Sequence, residues 1–270
     1  MLLTELEHFI REDIGFYDYP EIVPDMEAKA KIIANETGII AGLNEGIQIF
    51  RYFNIDVSPN ISDGDEIKKG DFVCIISGSA RNILRAERLV LNFLSRMSGI
   101  ATLTAECVKK IKNKKVRVAC TRKTTPGFRK YEKKAVMIGG GDSHRFNLSD
   151  SIIIKDNHIK LIGLKQAIKS AKKASFTKKI EIEVESIDDA IKAVELGVDI
   201  IMFDNMYPEK IKKGINILEK KGLRDKVIIE ASGGITPDNI TEYAKTGVDV
   251  ISMGSLTTSA KWLDLSLEII

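Results

Sequence analysis

Residues 193–205 read AVELGVDIIMFDN, and residues 243–255 read YAKTGVDVISMGS. Each stretch leaves an amphipathic helical segment, passes through Gly-Val-Asp and enters a short apolar run. Each run then stops on small polar residues, Asp204-Asn205 in one and Gly254-Ser255 in the other. Two echoing units of this kind predict a repeated helix–strand architecture. Working outward from them, the same alternation fills the second part of the chain. The strands are VRVAC, SIIIK, IEIEV, DIIMF, VIIEA and DVISM, with helices such as LKQAIKSAKKA, IDDAIKAVELG and TPDNITEYAKTG between them. Continuously apolar strands alternating with helices predict a parallel sheet covered by helices. Six such units suit a closed or nearly closed barrel better than a doubly wound sheet, because no nucleotide-type glycine fingerprint follows a first strand.

The first hundred residues have a different rhythm. LLTELEHFIREDI is helical in period. AKAKIIANETGIIAG reads as two strands around a Thr37-Gly38 turn, and DGDEIKKGDFVCIISGSA as two turns and a short strand. From Arg81 to Lys112 the pattern predicts a long helical stretch, broken or bent near Ser98-Gly99. The expected organisation is therefore a mixed α/β domain over residues 1–105, then an α/β barrel over 106–257.

A length of 270 residues allows one large or two modest domains. With 44% apolar and 29% charged residues and a net charge of +3, the composition is that of a soluble globular protein and not of a nucleic-acid or membrane binder. Positive charge is concentrated locally instead. Between Thr121 and Arg145 lie Arg122, Lys123, Arg129, Lys130, Lys133, Lys134 and Arg145, against only Glu132 and Asp142. Cys74, Cys107 and Cys120 show no paired spacing, which points to a reducing compartment rather than a disulfide or zinc framework. The N-terminal MLLTELEHFIRED carries acids and does not read as a signal peptide, and no run approaches the ~20 apolar residues of a membrane span.

In a parallel barrel the chemistry gathers where strands end. Thr121, Arg122 and Lys123 follow the first strand, and Lys155, Asp156, Asn157 and His158 the second. Glu181, Glu183 and Glu185 alternate through the third, so one register decides which of them point inward. Asp204 and Asn205 follow the fourth, Ser232, Gly233 and Gly234 the fifth, and Gly254 and Ser255 the sixth. His144 and Arg145 reach the same mouth from a glycine-rich loop. Several cations together repel unless an anion neutralises them, and carboxylates among them suit a divalent metal. ASGGITPDNI, with a helix opening at Thr236-Pro237, and MGSLTTSA are both layouts that let backbone approach a phosphate. Each element has an ordinary reading too. Arg122 and Lys123 could be solvated loop residues, Lys133 and Lys134 an exposed helix face, the glycines loop punctuation, Asp204 a turn residue, and His8 and His158 structural. What favours a site is five strand ends that all carry ligand-type groups.

TRKTTPG, GGGDSHR, IIIKDNHI, EIEVES, MFDN and EASGGI follow one another in that order, after AERLVLNFLSRMSGIAT. As a set, these motifs resemble the quinolinate phosphoribosyltransferase family over nearly the whole chain. The resemblance implies an α/β domain followed by an open, incomplete parallel α/β barrel, with residues from about 258 to 270 returning to the first domain. It implies a cytoplasmic homodimer whose active sites are completed across the interface. The implied reaction joins quinolinate to 5-phosphoribosyl 1-diphosphate and releases CO2 and diphosphate, with Mg²⁺ accompanying the diphosphate, to give nicotinate mononucleotide for NAD biosynthesis.

Carried over by matched motif, Thr121, Arg122, His144, Arg145 and Lys155 line the quinolinate pocket, with Arg88 supplied by the neighbouring subunit. Arg81, Arg85, Arg88 and Asn92 share one helical face. Lys123 reaches the ribosyl diphosphate. Glu183 and Asp204 face the ribose and the metal, directly or through water. Ser232, Gly233, Gly234, Ser252, Gly254 and Ser255 cradle the 5′-phosphate. Two places depart from the family pattern. Phe16-Tyr17-Asp18-Tyr19 stands where a Gly-Asp and a Thr are usual, and Thr258 stands where many members have a histidine. The alternatives are a molybdenum-associated paralogue of the same fold, which the full TRKTTPG and KDNH disfavour, a Schiff-base aldolase using Lys123 or Lys155, and a non-catalytic phosphate-ligand sensor.

Overall fold

The structure is a computed structural model and describes residues 1–15, 22–24, 26–112 and 115–270. The atypical Phe16–Tyr19 stretch lies outside the described residues. In chain order the first elements are α1 (Leu3–Ile14), β1 (Glu27–Ala34), β2 (Gly38–Ile39), α2 (Leu43–Tyr52), β3 (Asp56–Pro59), β4 (Glu66–Ile67), β5 (Phe72–Ser79) and α3 (Ala80–Lys110). Then come β6 (Arg117–Cys120), α4 (Arg129–Ile138), β7 (Ile152–Ile154), α5 (Asp156–Ile162), α6 (Leu164–Ala174), β8 (Ile180–Val184), α7 (Ile187–Glu195) and β9 (Ile200–Asp204). The chain continues with α8 (Pro208–Lys220), a 3₁₀ turn at Arg224–Lys226, β10 (Ile228–Ser232), α9 (Ile240–Ala244), β11 (Val250–Met253), α10 (Ser255–Thr258) and β12 (Leu265–Ile269). Contacts divide these into two units. One holds Met1–Ala105, Lys130–Gly139 and Ala260–Ile270, and the other Glu106–Arg129 and Gly140–Ser259.

The first unit contains an antiparallel sheet in the order β12-β1-β5-β3. The two strands expected around Thr37-Gly38 exist but do not pair with each other. β1 joins the large sheet, and β2 pairs with β4. The expected break at Ser98-Gly99 is absent, and α3 runs on through it. The small residues there serve close packing. Ser98 Oγ accepts the Ala41 N–H at 2.9 Å and donates to the Ala41 carbonyl at 3.2 Å, and a side chain on Gly99 would collide with the backbone of Lys261.

Residues 130–139 group with this first unit, although the alternation of elements leaves them in the barrel. The reason lies in what α4 carries. Arg96 donates to the fully buried Glu132 at 2.6 Å, and Lys134 pairs with Glu45 at 2.8 Å. The Tyr131 ring packs edge-on against Phe93 and Phe9, with centroids 5.0 and 5.8 Å away. Lys133, which reads as part of an exposed face, is fully buried.

The second unit is the barrel-like half. Its six-stranded sheet has the order β6-β11-β10-β9-β8-β7, parallel throughout. Apart from the seam, this is the cyclic sequence order of a barrel, with none of the reversal that marks a doubly wound sheet. Among the described residues β6 and β7 share no ladder, so the barrel is open there. The free edge of β6 instead bridges from Ala119 to Asp142.

The echoing Gly-Val-Asp stretches now have a physical account. Gly197 and Gly247 take φ of 76° and 97°, a turn that favours glycine at the end of a helix. Val198 and Val248 are buried. Asp199 accepts the Ile180 N–H of the neighbouring strand at 2.7 Å, and Asp249 accepts the Ile229 N–H at 2.8 Å. Each unit therefore ends a helix, plugs the core and stitches the start of one strand to its neighbour. Among the described residues no helix is long and apolar enough to cross a membrane.

Candidate active site

At the opposite ends of these strands lies a cavity of about 660 Å³, within the usual ~300–1,000 Å³ range for small-molecule sites. Thr121, Arg122 and Lys123 enter it from β6, Lys155 from β7, Glu183 from β8 and Asp204 from β9. Ser232, Gly233 and Gly234 follow from β10, Ser252, Gly254 and Ser255 from β11 and α10, and His144 and Arg145 from the loop after α4. The barrel residues that the resemblance assigns to the two substrates and the metal thus all line one cavity, whereas Asp156, Asn157, His158, Glu181 and Glu185, also candidates at strand ends, are not part of its lining. Arg88 lies on α3 in the first unit and is exposed.

The cationic side holds Arg122, Arg145 and Lys155. Burial, reinforced by the charge of Arg122, lowers the Arg145 pKa, while Glu181, Glu183 and Asp150 oppose this. Arg122 Nε is buried without a hydrogen-bond partner. A buried donor in that state is costly unless a ligand answers it. Lys155 Nζ is 2.8 Å from Glu183 Oε1. His158 caps the start of α5, its Nδ1 accepting the Lys155 N–H at 2.9 Å, which is a structural role.

The other side is small and turned. Gly233 and Gly234 have φ of 88° and 63°. A Cβ at Gly233 would run into the side chain and backbone of Asn205. Asn205, itself at φ 51°, donates its N–H to the Ser232 carbonyl at 2.9 Å and its side-chain amide to Asp204 Oδ2 at 2.8 Å. Gly254 leaves room for Lys123, whose Cδ would be 3.1 Å from a Cβ there. Thr257 Oγ1 donates to the Lys123 carbonyl at 2.6 Å, which fixes the loop that carries the lysine. Thr258, the residue in the usual histidine position, turns its hydroxyl back to the Gly254 carbonyl at 3.1 Å. The helix expected to open at Thr236-Pro237 starts later, at Ile240. Residues 236–239 form a turn in which Asn239 Oδ1 accepts the Thr236 N–H at 2.8 Å.

Beneath the mouth lies a pair of acids that sequence reasoning did not place. The alternating glutamates of β8 descend from rim to core: Glu185 is exposed, Glu183 is partly buried at the cavity and Glu181 is fully buried. Glu230, hidden in the apolar run VIIEA, is buried beside it. His144 Nε2 stands 3.1 Å from Glu230 Oε2 and 3.8 Å from Glu181 Oε2. Desolvation, then the neighbouring Glu230 charge, push the Glu181 carboxyl up to about 7. The available sign was a carboxylate inside a strand that a barrel buries on both faces.

Glu183 and Asp204 are hard oxygen donors on the wall next to the glycine-rich loop. They fit a divalent cation that shares its shell with a phosphate ligand, as Mg²⁺ does.

Comparison with known proteins divides the chain once, near residue 99, so α4 and most of β12, which group with the first unit by contacts, fall within the second match. Residues 13–98 match the family model "Quinolinate phosphoribosyl transferase, N-terminal domain", and residues 100–268 the corresponding C-terminal domain. The chain is 48% identical to a probable nicotinate-nucleotide pyrophosphorylase (carboxylating) of Methanothermobacter thermautotrophicus, covering 99% of both chains. It is 37% identical to the human nicotinate-nucleotide pyrophosphorylase (carboxylating), over 99% of this chain and 91% of that one. The crystal structure of nicotinate-nucleotide pyrophosphorylase from Ehrlichia chaffeensis superposes with a TM-score of 0.94 at 32% identity, covering 100% of this chain and 99% of the other.

Proposed function

The chain belongs to the quinolinate phosphoribosyl transferase family, and from that premise we propose that it makes nicotinate mononucleotide from quinolinate and 5-phosphoribosyl 1-diphosphate. It is a pentosyltransferase that releases CO2 and diphosphate. The observation that carries this reading is the two-sided cavity, with Arg122, Arg145 and Lys155 on one wall and Glu183, Asp204 and the Gly233-Gly234 loop on another.

Quinolinate has two adjacent carboxylates, and guanidinium groups hold carboxylates through paired N–H donors. Arg122 and Arg145, with Lys155, suit that task, while Thr121 and the His144 ring complete the wall. Lys123 suits the ribosyl diphosphate. Ser232, Gly233, Gly234, Ser252, Gly254 and Ser255 offer a close-fitting place for the 5′-phosphate, and the buried, unpartnered Ser252 hydroxyl supports this. Glu183 and Asp204 would hold Mg²⁺ together with the diphosphate, which supplies neutralisation of the leaving group.

The bond between the pyridine nitrogen and ribose C1′ forms as the bond from C1′ to the diphosphate oxygen breaks. Positive character develops on the sugar, and Glu183 and Asp204 are preorganised to stabilise it. Decarboxylation comes second, because the ribosylated, cationic ring nitrogen accepts the electron pair left as CO2 departs. The ring carbon then takes up a proton. No covalent enzyme intermediate is needed. Lys155 Nζ is engaged by Glu183, which occupies the nitrogen that a Schiff base would need.

Arg88 is proposed to act on a neighbouring subunit's acid pocket, in a homodimer. Its exposure on a helical face shared with Arg81 and Arg85 supports this reading. Cys74, Cys107 and Cys120 are buried and form no disulfide, which favours the cytoplasm. The test is to incubate the protein with quinolinate, 5-phosphoribosyl 1-diphosphate and Mg²⁺ and follow nicotinate mononucleotide and CO2 together. Equimolar products requiring all three components are expected. No product, with phosphate-ligand binding intact, would assign the scaffold to a different acid.

A further inference from the structure

Glu181 and Glu230 are exposed by only 0% and 1%. They enter the barrel interior from β8 and β10, on either side of β9. Three of their four carboxylate oxygens, both of Glu181 and one of Glu230, have no hydrogen-bond partner. Burying acids in this way is costly, so the group that faces them matters. That group is the His144 ring, with Nε2 3.1 Å from Glu230 and 3.8 Å from Glu181.

The three donor atoms lie within 4.8 Å of one another, close enough to suggest a cation site. The far side of the ring argues otherwise. His144 Nδ1 accepts the Arg145 backbone N–H at 2.8 Å. A neutral imidazole that accepts at Nδ1 carries its proton on Nε2, where a metal would need the lone pair. Nε2–H therefore donates to Glu230. The His144 N–H is also committed, donating to Asp142 Oδ1 at 2.7 Å, and the residue is held at φ 51°. His144 thus spends both ring nitrogens and its amide within the protein.

We propose that Glu230, backed by Glu181, is a positioning residue for acid binding. It orients the His144 ring, and Nδ1 of that ring fixes the peptide that aims Arg145 at the substrate's carboxylates. His144 then acts through Arg145 and not through a nitrogen offered to the ligand. This assignment rests on the functional reading above for its kinetic consequence and on geometry alone for the tautomer.

Two variants and one spectrum test it. Glu230→Leu removes the acceptor while filling the space, and Glu230→Gln keeps an acceptor without the charge. Glu230→Leu should raise KM for quinolinate on the order of tenfold and leave KM for 5-phosphoribosyl 1-diphosphate within about twofold. Glu230→Gln should recover most of the loss. The chain has three histidines, so long-range ¹⁵N–¹H spectra of the wild type can be assigned. His144 should appear as the Nε2–H tautomer, and this should become mixed in Glu230→Leu. An unchanged KM for quinolinate, equal losses for both substrates, or an Nδ1–H tautomer in the wild type would each overturn the proposal. Failure of the wild type to turn over quinolinate would instead strike the functional reading, and the tautomer would still decide the positioning role.

Discussion

Lys155 Nζ lies 2.8 Å from Glu183 Oε1 and joins the ends of the adjacent strands β7 and β8 at the cavity rim. The lysine side chain is 49% exposed and the carboxylate 16%. Exposed pairs contribute only ~0–1 kcal/mol to stability, so this pair is better understood as a poised site. In the proposed reaction an incoming carboxylate would compete with Glu183 for the ammonium group and leave Glu183 available to the ribose side. Lys155→Met should therefore raise KM for quinolinate by about tenfold while the thermal midpoint stays near that of the wild type. Borohydride added with a carbonyl substrate should leave no covalent adduct on the wild-type protein. A trapped adduct at Lys155 would reinstate the aldolase alternative.

Arg145 is drawn away from water and pressed by Arg122, with acidic neighbours compensating only in part. In the proposed reaction its counterion is a carboxylate of the substrate. Arg145→Ala should impair quinolinate use by ~2–4 kcal/mol in kcat/KM, the scale of losing a charged, desolvated partner. Binding of 5-phosphoribosyl 1-diphosphate, followed by calorimetry, should change far less. Equal loss for both ligands would contradict placing Arg145 on the acid side.

The barrel was legible because parallel strands buried on both faces must be apolar, and the polar residues that end them stand out against that background. VRVAC and DIIMF therefore announced both their strands and the ligand-type groups beyond them. What stayed hidden depends on partners far away in the chain. Nothing local in RKYEKKAVMI says that Glu132 meets Arg96 or that Lys134 meets Glu45, so α4 could not be assigned to the first unit. Ser98-Gly99 looks the same whether it breaks a helix or admits the backbone of Lys261. Glu230 interrupts an apolar run, but only the register across β8, β9 and β10 shows that it faces His144.

Glu181 gives the protein a pH signature. Burial and the Glu230 charge raise its carboxyl to about 7 from an ordinary 4.5. In the unfolded chain the same group ionises near the ordinary value. Between these two points the folded state holds more protons, so stability is fully present below about pH 4.5 and is lost as pH rises toward about 7. Glu181→Gln removes this titration. Urea unfolding in magnesium-free buffer should show the variant gaining on the wild type between about pH 5 and about pH 8, by on the order of 1–3 kcal/mol, and levelling off above. A difference that stays flat with pH would contradict a buried, protonated Glu181.

Asp249 belongs to the other face of the barrel. Its Oδ2 accepts the Ile229 N–H at 2.8 Å, and its Oδ1 accepts from the Arg224 guanidinium at 2.8 Å. Removing the carboxylate leaves a strand-start N–H without its acceptor and takes the ion pair from a partly buried guanidinium, which keeps only the Val227 and Gly247 carbonyls. Hydrogen bonds to charged groups are worth ~1.5–3 kcal/mol. Asp249→Ala should therefore lower unfolding free energy by about 2–3 kcal/mol, while kcat and both KM values of the folded fraction stay within about twofold. Asp249→Asn should recover part of the stability, because its amide oxygen can still accept the Ile229 N–H although the charge on Arg224 goes unanswered. In parallel barrels the strand starts stabilise and the strand ends catalyse. If Asp249→Ala instead lowered kcat with stability intact, that division of labour would fail for this chain.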